Sequence, residues 1–261
     1  MKYFCAFILY TLILTGCSNI VIPVDESDTN TYGYHPLDPL PVKIVQSGTA
    51  PVTNEELLAA LPDETIRIAI GEFNSKGSLT YGPATVGVAG SNYIVVLDYM
   101  KFNTKALPVV ITTDQENVKS ASLTQDRDKA DVIIPTYIGI GLRLTASIQV
   151  KKGNVDLGSL FALGAAAESN QISGSLVIQT LGISGESISS IMPMPSEISG
   201  TTIQNAILAL GTMKAKMYEE DIYIKPRVLG VYNNLGGGSD TINGFISTML
   251  QTQQELEVTQ K

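Results

Sequence analysis

Between positions 138 and 150 the chain alternates without a break. Ile138, Ile140, Leu142, Leu144, Ala146, Ile148 and Val150 are apolar, and Gly139, Gly141, Arg143, Thr145, Ser147 and Gln149 between them are small or polar. A two-residue rhythm puts one set on each face of a β-strand. At about 3.3 Å per residue the run spans roughly 40 Å, longer than an ordinary strand and enough to cross a bilayer at the tilt of a barrel. Lys151-Lys152-Gly153-Asn154 follows as a charged turn. A second extended stretch over 171–183 opposes Ile172, Leu176 and Ile178 to Ser173, Ser175, Val177 and Gln179, and 157–167 between them is small and apolar, suited to a strand or a short helix. Two readings fit. In one, Ile138, Ile140, Leu142, Leu144, Ile148 and Val150 face lipid while Arg143, Thr145, Ser147, Gln149, Ser173, Ser175 and Gln179 line water. Several copies must then pool strands, because one chain has too few to close a barrel. In the other, a long hairpin belongs to a soluble antiparallel sheet whose apolar face covers a helix.

The remaining pattern predicts a mixed α+β chain. Thr53 and Glu56 make a capping box before Leu57, Leu58 and Leu61, and Pro62 stops that helix. Ile66, Ile68 and Ile70 alternate with Arg67, Ala69 and Gly71 as a half-buried strand, and Lys76-Gly77-Ser78 turns it. Tyr93, Val96, Leu97 and Met100 fall at helical spacing and predict a helix over 90–102, although Ile94-Val95-Val96 also suits a strand. A short strand over 107–112 leads into a polar connection over 114–131, whose Asp126-Arg127-Asp128-Lys129 reads as a solvated face. Thr201 to Gln204 makes another capping box, ahead of a helix whose apolar face carries Ile203, Ala206, Ile207, Leu210, Met213 and Met217. Lys214 and Lys216 complement its dipole. A strand pair or edge strand broken by Pro226 comes next, and Asp240 then caps a last amphipathic helix before a polar tail.

Composition narrows the chemistry. The 261 residues are 44% hydrophobic and only 16% charged, against roughly 25% charged in ordinary soluble chains. A net charge of -8 with no Lys/Arg cluster argues against nucleic acid. One His, His35, and two Cys exclude a multi-His or Cys-rich zinc site. No nucleophile elbow, phosphate-binding loop or dinucleotide fingerprint is present, so the expectation is a protein that is not an enzyme and needs no cofactor.

The N-terminus carries its own address. Lys2 precedes an apolar run over 4–14, the length of a signal-peptide core and too short to span a bilayer. It ends in Leu14-Thr15-Gly16-Cys17, which resembles a bacterial lipobox; the resemblance implies cleavage before Cys17 and diacylglycerol on its thiol. Several acyl chains hold a protein far more firmly than a single myristoyl chain. Ser18 in the second mature position resembles the outer-membrane sorting pattern. Residues 18–41, rich in Asp, Ser, Thr, Asn and Pro, read as a tether, with His35 a bland linker residue.

Several stretches resemble the curli-secretion channel lipoproteins, the CsgG-like family. They are Ile66 to Phe73 with Gly77 and Tyr81-Gly82-Pro83-Ala84; Ala130 to Ile134 with Tyr137-Ile138-Gly139; and Leu176 to Gln179 followed by Ser184-Gly185-Glu186-Ser187-Ile188. They cover about half the chain by short motifs. The family has a longer helix where 114–131 is short and polar, and its Ser-Gly-Glu turn aligns only with an insertion. Its channel is narrowed by a loop carrying Tyr, Asn and Phe; here Tyr81 matches, and Thr85 and Val86 stand in for the others, which makes these three the constriction-loop candidates.

The resemblance implies a periplasmic α/β domain whose long amphipathic β-hairpins contribute to an oligomeric transmembrane β-barrel for passive export of polypeptide. The expected organisation is a lipoprotein signal peptide over 1–16, a lipidated N-terminus and linker over 17–50, an α+β domain over 51–235 with membrane hairpins near 132–190, and a C-terminal helix and tail over 236–261. The expected partners are the membrane, further copies of the chain, and an exported polypeptide or envelope protein. The expected location is the periplasmic face of the bacterial outer membrane. The alternative is a lipoprotein without a pore, acting as an adhesin, chaperone or assembly factor.

Overall fold

Two long antiparallel strands set the frame of the molecule; further strands extend the sheet from their edges, and helices pack against it. The computed structural model describes residues 33–73, 77, 79–82, 85–113, 119–235 and 238–259, with backbone alone at 119 and 238–240. In chain order the elements are β1 (Gly33–Gln46), α1 (Asn54–Ala59), β2 (Asp63–Phe73), β3 (Leu79–Gly82), β4 (Val86–Val88), β5 (Asn92–Thr113) and β6 (Lys119–Leu123). After a 3-10 turn at Arg127–Lys129 come β7 (Val132–Val150), β8 (Asn154–Asp156), α2 (Leu160–Glu168), β9 (Ile172–Leu181), β10 (Ile183–Ser184), α3 (Glu186–Ser189) and β11 (Ser196–Glu197). The chain finishes with α4 (Gly200–Lys216), β12 (Tyr223–Ile224), β13 (Arg227–Asn233), α5 (Gly238–Gln251) and β14 (Gln254–Val258). Ten strands join one sheet in the order β14-β1-β13-β7-β5-β2-β3, with β6 added to β5, β9 to β7 and β11 to β9. The fold is therefore α+β around a large, almost wholly antiparallel sheet.

β5 and β7 pair from Asn92↔Gln149 to Val109↔Val132. This overturns the helix expected over 90–102. Tyr93, Val95, Val96, Leu97, Tyr99, Met100 and Phe102 are all buried, so the central stretch of β5 is covered on both faces. A strand buried on both faces loses its alternation and can show helical spacing by accident. The β-branched Ile94-Val95-Val96 carried the correct signal.

The even face of β7 is the centre of the core. Its seven apolar side chains from Ile138 to Val150 are 0 to 3% exposed. They meet Tyr93, Val95, Leu97 and Tyr99 across the ladder. The same cluster contains Leu163 and Ala166 of α2 and Ile203, Ala206 and Met213 of α4. Burying an aliphatic side chain of this size contributes about 1.5–3 kcal/mol.

The other face curls. At Gly139 and Gly141 an added Cβ would lie 2.1 and 2.0 Å from the carbonyl oxygens of Lys101 and Tyr99, so only glycine lets β5 and β7 close on each other there. The curl brings β1 back over β2 and β5, where Tyr34, Ala69, Val96, Met100, Phe102, Tyr137, Leu181 and Leu229 form a second core. Among the described residues no ladder joins β1 to β2 or β3, so the curl does not close into a barrel.

Several boundaries move. Residues 33–46, expected within the lipidated N-terminus and linker over 17–50, form β1, antiparallel to β13 and then parallel to β14. The polar tail supplies β14, whose Gln254, Leu256 and Val258 are buried while Glu255 and Glu257 are exposed. The second capping box is built by Ser199 and Thr202, two residues before the expected start. The first is as expected, with Thr53 accepting from the Glu56 N–H and the Glu56 carboxylate accepting from the Thr53 N–H. β13 lies between β1 and β7 and is no edge strand. Asp240 falls inside the first turn of α5, which begins at Gly238.

Candidate functional site

The residues expected to line a pore separate into two environments. Arg143 is buried at 6% exposure, paired across the ladder with a fully buried Asp98. Its Nε and Nη2 donate to the two Asp98 carboxylate oxygens at 2.7 and 2.6 Å, Nη1 donates to the Leu37 carbonyl at 2.8 Å, and Nη2 also reaches the Leu229 carbonyl at 3.1 Å. The Tyr34 hydroxyl donates to the same carboxylate. Burial pushes the Tyr34 hydroxyl well up, and the Asp98 charge adds to the rise. Burial works against the Arg143 charge, but the bidentate bond to Asp98 outweighs it and holds the guanidinium protonated. The arrangement is a satisfied ion pair that ties β1, β5, β7 and β13 together. Arg143 therefore lines no open passage in this structure, because β1 and β13 cover it.

Ser147, Gln149, Ser173 and Ser175 do come together, at the far end of the β7–β9 pair. With Tyr93 and Phe73 they line an open depression of about 770 Å³. Gln179 is exposed and Thr145 half-buried, both away from that depression. The six side chains assigned to lipid, Ile138, Ile140, Leu142, Leu144, Ile148 and Val150, lie in the core of the chain itself. In the single chain they pack with Leu163 and Ala166 of α2 and Ile203, Ala206 and Met213 of α4, the packing that the second of the two readings expects.

The constriction-loop candidates divide between β3 and the start of β4. Tyr81 sits in β3 with its ring edge-on to His35 at 5.0 Å. Thr85 is exposed and its carbonyl accepts from the Leu157 N–H, and Val86 begins β4, paired with Asp156 of β8. His35 is no bland linker residue: burial in β1 drives its pKa down to about 4. Asp126 caps the 3-10 turn through the Asp128 N–H, and its carboxylate pairs with Lys129 at 2.9 Å on the surface. The signal segment, the lipidation candidate Cys17 and the tether up to residue 32 lie outside the described residues, as do Lys76, Ser78, Pro83 and Ala84.

The sequence did not point to a second opening, which is mainly apolar. A groove of about 480 Å³ runs between β2 and β5 on one side and α2 and α4 on the other. Leu97 and Tyr99 floor it, Ile66 and Ile68 rise from β2, and Phe161, Ile207 and Leu210 wall it. Ile66 and Phe161 are 61% and 68% exposed, so the cover that α2 and α4 give to β7 stops short of β2. Lys214 closes one end, donating to Glu64 and lying 5.3 Å from the Tyr99 ring centroid. That hydrogen bond holds the Glu64 carboxyl below its ordinary range, and burial first, then Glu64, raises the Tyr99 hydroxyl. The alternation of Ile66, Ile68 and Ile70 was the available signal; which side chains would stay uncovered depended on where α4 landed.

Among the described residues no group of three His, Cys, Asp or Glu side chains is placed to hold a metal ion, and no helix is long and apolar enough to cross a membrane. Comparison with protein-family models, with curated proteins and with solved structures returns no match.

Proposed function

We propose that the chain is a lipid-anchored, non-enzymatic module on the periplasmic face of the bacterial outer membrane, acting as a chaperone-like or assembly factor that holds another polypeptide. The observation that carries this reading is the sealed even face of β7, whose apolar side chains are 0 to 3% exposed beneath the chain's own helices. A face already satisfied in one copy gains little from lipid. The anchor is supported by the resemblance of the tetrapeptide ending at Cys17 to a lipobox. Replacing Cys17 by Ala should move the protein from the outer-membrane fraction to the soluble periplasm. The extracted wild type should run as single copies; a ring of subunits in detergent would overturn the reading.

The oligomeric export pore is the second proposal. It is supported by the family resemblance and by the grouping of Ser147, Gln149, Ser173 and Ser175 around one open depression that they share with Phe73, Tyr93 and Ile148. It requires the β7–β9 hairpin to leave α2 and α4, exposing six large aliphatic side chains worth about 1.5–3 kcal/mol each until lipid or neighbouring copies cover them.

A further inference from the structure

We infer that the open edge of β2 takes up an added strand from a partner polypeptide, an extended segment with apolar residues at alternate positions and a carboxylate between them. The inference rests on the polypeptide-holding reading and names the surface that does the holding. β2 is paired with β5 along its length from Asp63, whereas β3 covers its outer side only from Ile70 onward. Among the described residues no strand pairs with the outer side of 63–69. An unpaired edge of that length is a template for another backbone.

The two faces of this edge state what the added strand must carry. On one face Ile66 and Ile68, 61% and 41% exposed, stand beside the apolar groove, so alternate side chains of the incoming strand meet an apolar wall. On the other face lies Arg67. Its guanidinium sits 5.8 Å from the Tyr137 ring centroid, its Nε is buried without a hydrogen-bond partner, and no carboxylate among the described residues forms an ion pair with it. A carboxylate directly opposite Arg67 complements that charge.

A second copy of the same edge does not meet this requirement. Antiparallel self-pairing that matches the faces and is centred on Thr65 or Ile66 sets Glu64 against Ile66 or Ile68. Centring on Arg67 sets two guanidinium groups opposite each other, and centring further along collides with β3 at Ile70. The edge favours a different chain.

The test uses the full-length lipidated protein in nanodiscs and a fluorescein-labelled eight-residue peptide that alternates valine with aspartate and threonine, read by anisotropy. Saturable binding is expected, and Ile68→Asp should weaken it by at least about tenfold. Arg67→Gln, which adds no charge opposite Asp98, should erase the preference for this peptide over a matched one carrying asparagine in place of aspartate. Methylating alternate peptide nitrogens should abolish binding, because strand addition depends on those donors. Ile68 is 41% exposed, so Ile68→Asp should keep the wild-type circular dichroism spectrum. Absence of saturable binding at millimolar peptide, equal binding of the N-methylated peptide, or indifference to Ile68→Asp would each overturn the inference. If binding fails while the protein still fractionates as single copies on the outer membrane, the edge assignment falls alone; ring-shaped particles would instead remove the reading beneath it.

Discussion

β2 and β7 carry the same two-residue rhythm on the same face of one sheet, yet Leu142 and Leu144 of β7 are wholly buried while Ile66 and Ile68 of β2 stand in the open. The strands differ in what lies above them. α2 and α4 cover the middle of the sheet and stop before its β2 margin, leaving a groove. Alternation in a sequence thus identifies an apolar face, and the cover, whether helix, lipid or partner, is decided elsewhere in the chain.

The sharpest way to break this contrast is a charge on each strand. Leu142→Asp should unfold the protein, since a carboxylate placed in a fully buried site costs more than about 5 kcal/mol; thermal melting of the variant against wild type reads it directly. A membrane-facing Leu142 would instead leave a folded periplasmic subunit that fails only to insert. On the opposite face of β7, Asp98→Ala leaves Arg143 buried without its partner and should cost about 3–5 kcal/mol by denaturant titration. Replacing both by apolar residues of similar volume should recover much of that loss.

Acid tests the curl that lays β1 over the sheet. His35 has a pKa of about 4 in the folded chain, below the ordinary value of 6.5. Its neutral form therefore supports folding above pH 6.5, and that support drains away as pH falls from 6.5 toward 4, by about 2–3 kcal/mol in all. His35→Gln should flatten stability across this window, measured as the urea midpoint against pH. The smallest effect belongs to the uncovered strand: Ile68→Asp should change stability by no more than about 0.5 kcal/mol, the ordinary result for an exposed position.

Much of the architecture was legible because local rules and tertiary structure agreed. The alternation over 138–150 became β7, Ile66 to Ile70 became part of β2, and the capping box at Thr53 opened α1 where expected. The misreadings share a cause in burial. β5 is covered on both faces by distant segments, so its spacing misled. β1 is interrupted by Pro36, Pro39 and Pro41, and β14 is only five residues long, so they looked like tether and tail; both are held by pairing, β1 with β13 and the two with each other. Arg143 looked like a polar lining residue; only the register that sets it opposite Asp98, 45 residues away, reveals a buried pair. The groove depended on how far α4 reaches across the sheet, which no short window of sequence contains.

The most direct measurement is the mass of the native particle, taken by mass photometry on protein extracted from membranes into nanodiscs with its lipid intact. A chain whose apolar β7 face is closed by its own helices should appear as one copy per disc. Discs holding a fixed ring of several copies, resistant to dilution, would contradict the account.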